Sequence, residues 1–148
     1  MVIQICVDAS VILMLLVPER LSPKARSLWG WWFDQGIEIV APPLFFAEVT
    51  SVLRRSVFFD GVPAEDADRA FEAFMRLPVK EMDPPDLQRQ AWALAKHYDQ
   101  RRAYDAQYLA VATTLGCEVW TGDRRLVNAI NEPWVRWIGD YQDGQERQ

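Results

Sequence analysis

Five short apolar runs alternate with longer stretches of helical character along this chain, and that alternation limits the fold more than any other feature. The runs read as strands at 2–7, 37–41, 79–82, 117–121 and 134–138. In the first, five of six side chains are apolar, as in a strand buried on both faces. Helices fill the gaps: "ASVILMLLVPE" up to Pro18, "SPKARSLWGWWFDQG" with Ser22 as N-cap and Gly36 beyond its end, and Pro43–Phe59 closed by "DGVP". An amphipathic helix follows at 63–78, then helices at 85–98, 103–115 and Arg124–Ile130. The order predicts an α/β three-layer sandwich, with a central, mostly parallel sheet of four to five strands and helices on both faces. One domain over 1–140 and a polar tail over 141–148 are expected from a length of 148 residues.

Sixteen basic against 21 acidic residues give a net charge of -5, which argues against sequence-blind coating of DNA or of an anionic membrane. The longest apolar run, "VILMLLV", is too short to span a bilayer and no cationic leader precedes it, so a cytoplasmic protein is expected. Cys6 and Cys117 each lie in an apolar run and read as buried thiols, and His97 is the single histidine. A glycine-rich phosphate loop is absent: "DASVIL" follows the first strand. Any metal chemistry would therefore use oxygen ligands.

Four acids fall where an α/β sheet places its ligands, beyond the carboxyl ends of the strands. Asp8 ends the first strand, and Asp123 follows the fourth after Gly122. On the helices, Glu48 shares a face with Leu44, Phe45 and Val52, and Asp105 with Tyr108, Leu109 and Ala112, so both point toward apolar surface. Each acid also has a local reading: Asp8, Asp105 and Asp123 as helix N-caps, Glu48 as a partner of Arg54 or Arg55. If all four converge, repulsion and desolvation must raise their pKa values or draw in a cation. Hard oxygen donors suit Mg²⁺, with Mn²⁺ as a substitute.

Four stretches, "VDASVILMLLVPE", "AEVTSVLRR", "YDAQYLAVA" and "WTGDRRLVNA", in this order and spacing, resemble the PIN-domain ribonucleases, and within them the VapC-type toxins of bacterial toxin-antitoxin pairs. The resemblance spans almost the whole chain. It implies a toxic endoribonuclease that hydrolyses RNA phosphodiester bonds with Mg²⁺, with Asp8, Glu48, Asp105 and Asp123 as both catalytic and metal-binding residues. Ser10 and Thr121 would be the hydroxyls that support the acids or position water. Some relatives carry a further acid after the fourth; Arg124 and Arg125 stand there instead. The resemblance also implies a homodimer capped by a VapB-type antitoxin in a groove near the first helices.

Cations must bring RNA to such a site, and Lys96, Arg101, Arg102 and Arg124 are the candidates, with Arg54, Arg55 and Arg125 near other acids. "LWGWWF" holds Trp29, Trp31, Trp32 and Phe33, more rings than one helical stripe can bury; most are expected in the core, with an exposed remainder for a protein contact. Two other readings compete. A catalytically silent binding module of the same fold would not need all four acids, and an aspartyl-phosphate enzyme using Asp8 would want an acid at the position of Ser10.

Overall fold

The computed structural model describes residues 2–143. Five strands, β1 (Gln4–Val7), β2 (Glu38–Ala41), β3 (Val79–Glu81), β4 (Glu118–Thr121) and β5 (Val135–Trp137), form one sheet in the order β3-β2-β1-β4-β5. Every neighbouring pair is parallel. The helices are α1 (Ala9–Leu16), α2 (Ser22–Asp34), α3 (Pro43–Phe59), α4 (Ala64–Met75), α5 (Leu87–His97), α6 (Tyr104–Leu115) and α7 (Arg124–Ile130). Right-handed crossovers from β1 through β2 to β3 run one way across the sheet, and those returning through β4 to β5 run the other. That reversal puts α1 to α4 on one face and α5 to α7 on the opposite one, the three layers expected.

Burial follows from this topology. β1 lies at the centre, and Cys6 and Val7 are fully buried between the two helical layers. Val2 and Ile3, predicted as strand, lie before the paired registers and are exposed, although the Glu38 amide of β2 still donates to the Ile3 carbonyl at 2.9 Å. The other strand limits shift by at most one residue. Trp32 is buried and meets Trp29 and Trp120 edge-to-face, with ring centroids 6.3 and 5.7 Å apart, so α2 packs onto β4 through aromatic rings. Of the "LWGWWF" rings only Phe33 is exposed; Trp29 and Trp31 are partly covered.

Two local expectations are corrected. Ser22 does not cap α2: it is the buried first residue of the helix, and its hydroxyl accepts from the Glu19 amide at 2.9 Å, while Leu21 takes the cap position without a side-chain bond. Tyr141, assigned to the polar tail, is only 2% exposed. It follows a short 3-10 turn at Ile138–Asp140, where Lys24 donates to the Gly139 carbonyl at 2.6 Å and ties α2 to the end of the fold. Residues 144–148 of the expected tail lie outside the described residues. Among the described residues no helix is long and apolar enough to cross a membrane.

Candidate active site

The strand order reverses between β1 and β4, and a parallel sheet opens a crevice at the carboxyl end of such a pair. Asp8 leaves β1 there, and Thr121, Gly122 and Asp123 leave β4 beside it, since Val7 is paired with Trp120. The Asp8 carboxylate, 7% exposed, is wrapped by donors. Oδ1 accepts from the Ser10 amide at 3.1 Å, the Val11 amide at 3.4 Å and the Ser10 hydroxyl, while Oδ2 accepts from the Thr121 hydroxyl. Both hydroxyls also accept a backbone amide, Ser10 from Gly122 at 2.8 Å and Thr121 from Asp123 at 3.0 Å. Two relays therefore run from the β4–α7 turn to Asp8, which places Ser10 and Thr121 as supports of this acid, with their hydrogens already committed to it.

Helix starts supply the rest of the geometry. Asp8 caps α1, and Asp123 caps α7 through the Arg125 amide at 2.9 Å, so the local reading holds for these two while they also line the crevice. Asp105 is no cap; Ala103 takes that position, and Asp105 sits in the first turn of α6. Glu48 does not pair with arginine, because Arg54 and Arg55 lie over the rings of Phe58 and Phe59 one turn further along α3. It accepts instead from the Tyr108 hydroxyl at 3.2 Å. Exposure grades outward: Asp8 is buried, Glu48 half-buried, and Asp105 and Asp123 are exposed, so Asp105 does not turn into apolar surface as its helical face suggested.

The electrostatics join the four. Burial pushes the Asp8 carboxyl from 3.8 up to about 6, opposed by its bonds from Ser10 and Thr121 and reinforced by the charge of Asp105. Burial also raises Glu48, against its Tyr108 bond, with Asp105 again adding to the rise. Asp105 is itself raised, by desolvation first and then by Asp123. The ion pairs among the described residues, Arg69 with Asp66, Lys80 with Glu38 and Arg136 with Glu118, all lie elsewhere. Among the described residues no ion pair compensates the negative charge at the crevice.

Four carboxylates without a basic partner are a donor set that fits a hard divalent cation. As the side chains stand, no three His, Cys, Asp or Glu residues among the described ones form a metal-holding group. Asp8 and Asp123 turn oxygens toward their capping donors.

Three residues here escaped the sequence reading. Tyr108 was legible only as an apolar companion of Asp105, three residues on along the same helical face. Trp137, beside Thr121 on β5, donates to the Gly122 carbonyl at 3.3 Å and carries the Arg124 guanidinium 4.9 Å from its ring centre. Gly122 is tightly placed: a Cβ there would stand 2.1 Å from the Met14 methyl, which must swing aside, and 3.1 Å from the Ser10 hydroxyl oxygen. Among the candidate cations, Arg124 stands next to Asp123. Arg101 and Arg102 are exposed in the loop that leads into α6, and Lys96 is exposed in the last turn of α5.

A groove of about 460 Å³ starts at Ser10, Gly122 and Asp123 and runs between α1 and α3 over Leu13, Met14, Val17 and Val52. A larger cavity, about 690 Å³, opens at the amino edge of the sheet between Val2 and Trp134 and holds none of the four acids.

Known proteins resemble this chain in sequence and in fold. The PIN domain family model matches residues 5–131. Ribonuclease VapC9 of Mycobacterium tuberculosis is 33% identical over 122 residues, covering 82% of this chain and 87% of that protein. The crystal structure of PAE2754 from Pyrobaculum aerophilum superposes with a TM-score of 0.69 at 20% identity, over 94% of this chain and 93% of that one. The structure of Mycobacterium tuberculosis VapC20, described as a Sarcin-Ricin loop cleaving toxin, gives 0.59 at 21% identity over 80% and 87%. With sequence similarity and chain topology agreeing over most of its length, the chain belongs to the PIN domain family, among its VapC-type members.

Proposed function

We propose that this protein is the toxin of a toxin-antitoxin pair, an endoribonuclease that hydrolyses RNA phosphodiester bonds in the cytoplasm with Mg²⁺ or Mn²⁺. The observation that carries the reading is the row of carboxylates at the β1/β4 crevice, electrostatically linked through Asp105 and in no ion pair with a basic side chain among the described residues. Similarity to ribonuclease VapC9 supports RNA as the substrate.

Asp8, Asp105 and Asp123 would hold the cation, which supplies positive charge against the phosphate oxygens and acidifies the attacking water. The chain's residues do the rest. Ser10 and Thr121 keep the Asp8 carboxylate oriented, so it is positioned before substrate arrives. Glu48, with one oxygen bonded to Tyr108, would use the other to align water or to help hold a second ion. Arg124, braced on Trp137, is placed to meet a backbone phosphate, and Arg101, Arg102 and Lys96 extend the positive approach. A VapB-type antitoxin would lay an apolar segment into the groove between α1 and α3, closing access to Asp123. The VapC-type kinship supports a homodimer.

One observation favours a second reading, a silent binding module: no three acids among the described residues stand as a ready metal-holding group. Incubating purified protein with total RNA and Mg²⁺ or Mn²⁺ separates the two. Cleavage that EDTA and Asp8→Asn both abolish is expected. RNA left intact with either ion, or cut equally by Asp8→Asn, overturns the nuclease reading.

A further inference from the structure

Among the described residues, Tyr108 is the buried hydroxyl that reaches an acid of the crevice from the opposite helical layer. It is 2% exposed, on α6, and its hydroxyl donates to Oε1 of Glu48 on α3. It is also three residues beyond Asp105, so the same side chain face of α6 carries Asp105 into the crevice and Tyr108 onto Glu48. Glu48 has no helix start or paired hydroxyls to hold it, unlike Asp8, and sits mid-helix with a side chain of three rotatable bonds.

We infer that Tyr108 is a positioning residue for Glu48: its hydroxyl locks the Glu48 carboxylate at a fixed spacing from Asp105 and commits Oε1, leaving Oε2 for the cation or the attacking water. This rests on the nuclease reading above. A tyrosine suits the role because its ring is anchored in the core while its rigid para hydroxyl spans the gap between layers. A hydroxyl beside a carboxylate donates and does not compete as a base, so it fixes the acid without neutralising it. Burial with the hydroxyl otherwise unused would leave a polar group in the core, which the Glu48 bond avoids.

Tyr108→Phe tests this, because it keeps the ring and removes one oxygen. Mn²⁺ binding is measured by calorimetry and RNA cleavage by initial rates, at a temperature where circular dichroism shows wild type and variant folded. Loss of a supporting bond to a metal ligand costs about 10- to 100-fold in metal affinity or rate. The expected result is a drop of that size in Mn²⁺ affinity and kcat with KM for RNA little changed, and no further drop when Tyr108→Phe is added to Glu48→Gln. A structural role alone would lower the melting temperature and leave affinity and kcat in place. Tyr108→Met, which fills the core without a hydroxyl, must give the same result. Unchanged Mn²⁺ affinity and kcat in both variants, or an undiminished effect in the Glu48→Gln background, overturns the inference. If wild type itself binds no Mn²⁺ and cuts no RNA, it is the nuclease reading that fails.

Discussion

Thr121→Val removes one hydroxyl from a fully buried site while keeping the β-branched shape that suits β4. The lost bond points at Asp8, whose carboxyl is raised from 3.8 to about 6. Between those values the folded chain holds a proton that the unfolded chain has released. Asp8 therefore contributes stability below about 3.8, and that contribution is lost as pH rises through about 6, on the order of 3 kcal/mol in total at ~1.4 kcal/mol per pH unit. Above that window Asp8 is charged and leans on its donors, so a charge-assisted bond worth ~1.5–3 kcal/mol disappears with the Thr121 hydroxyl. Below about 6 the folded carboxyl is neutral, and the same bond is worth only ~0.5–1.5 kcal/mol. Urea unfolding with EDTA, of both proteins at about pH 7 and about pH 4.5, reads the difference, because acids common to both cancel. The larger destabilisation is expected at the higher pH, where it lowers the melting temperature by roughly 3–12 °C. Equal losses at both pH values, or a larger one in acid, would refute the placing of an ionised Asp8 against Thr121.

Three further outcomes are expected. Mn²⁺ at about 100 times its dissociation constant should stabilise wild type by ~2.7 kcal/mol, read as a rise in melting temperature, and Asp105→Asn should remove most of that rise because Asp105 couples to the other three acids; no rise in wild type counts against a cation site. Arg124→Ala should weaken RNA binding uniformly across sequences and reduce the salt slope of log K by about 1, measured by fluorescence anisotropy over a salt series; an unchanged slope means that Arg124 meets no phosphate. Gly122→Ala should destabilise by ~1–3 kcal/mol and slow cleavage, since the new methyl meets Met14 and the Ser10 hydroxyl that holds Asp8; a variant as stable and active as wild type would show that the turn has room to shift.

What was legible in the chain was what depends on near neighbours. Strand–helix alternation is carried by local periodicity, so the sheet, its parallel pairing and the positions of Asp8 and Asp123 just past β1 and β4 follow from the order of residues alone. Glu48 and Asp105 could be picked out because an acid on an otherwise apolar helical face is conspicuous. Their surroundings could not be. Ser22 and Tyr141 read as cap and tail because serine before a helix and a polar terminus are common signals, and only packing against Glu19 and the core overrides them.

Sequence by itself determined which acids are present and at which edge of the sheet each one emerges. Only the tertiary structure decided the strand order that brings β1 beside β4, the Thr121 hydroxyl closing on an aspartate 113 residues away, the Tyr108 bond to Glu48 and the bracing of Arg124 by Trp137. The physical reason is range. Periodicity and strand ends are set within a few residues, whereas the partner of a buried hydroxyl or carboxylate depends on which distant segment fills the space beside it, a choice made by the packing of both helical layers at once.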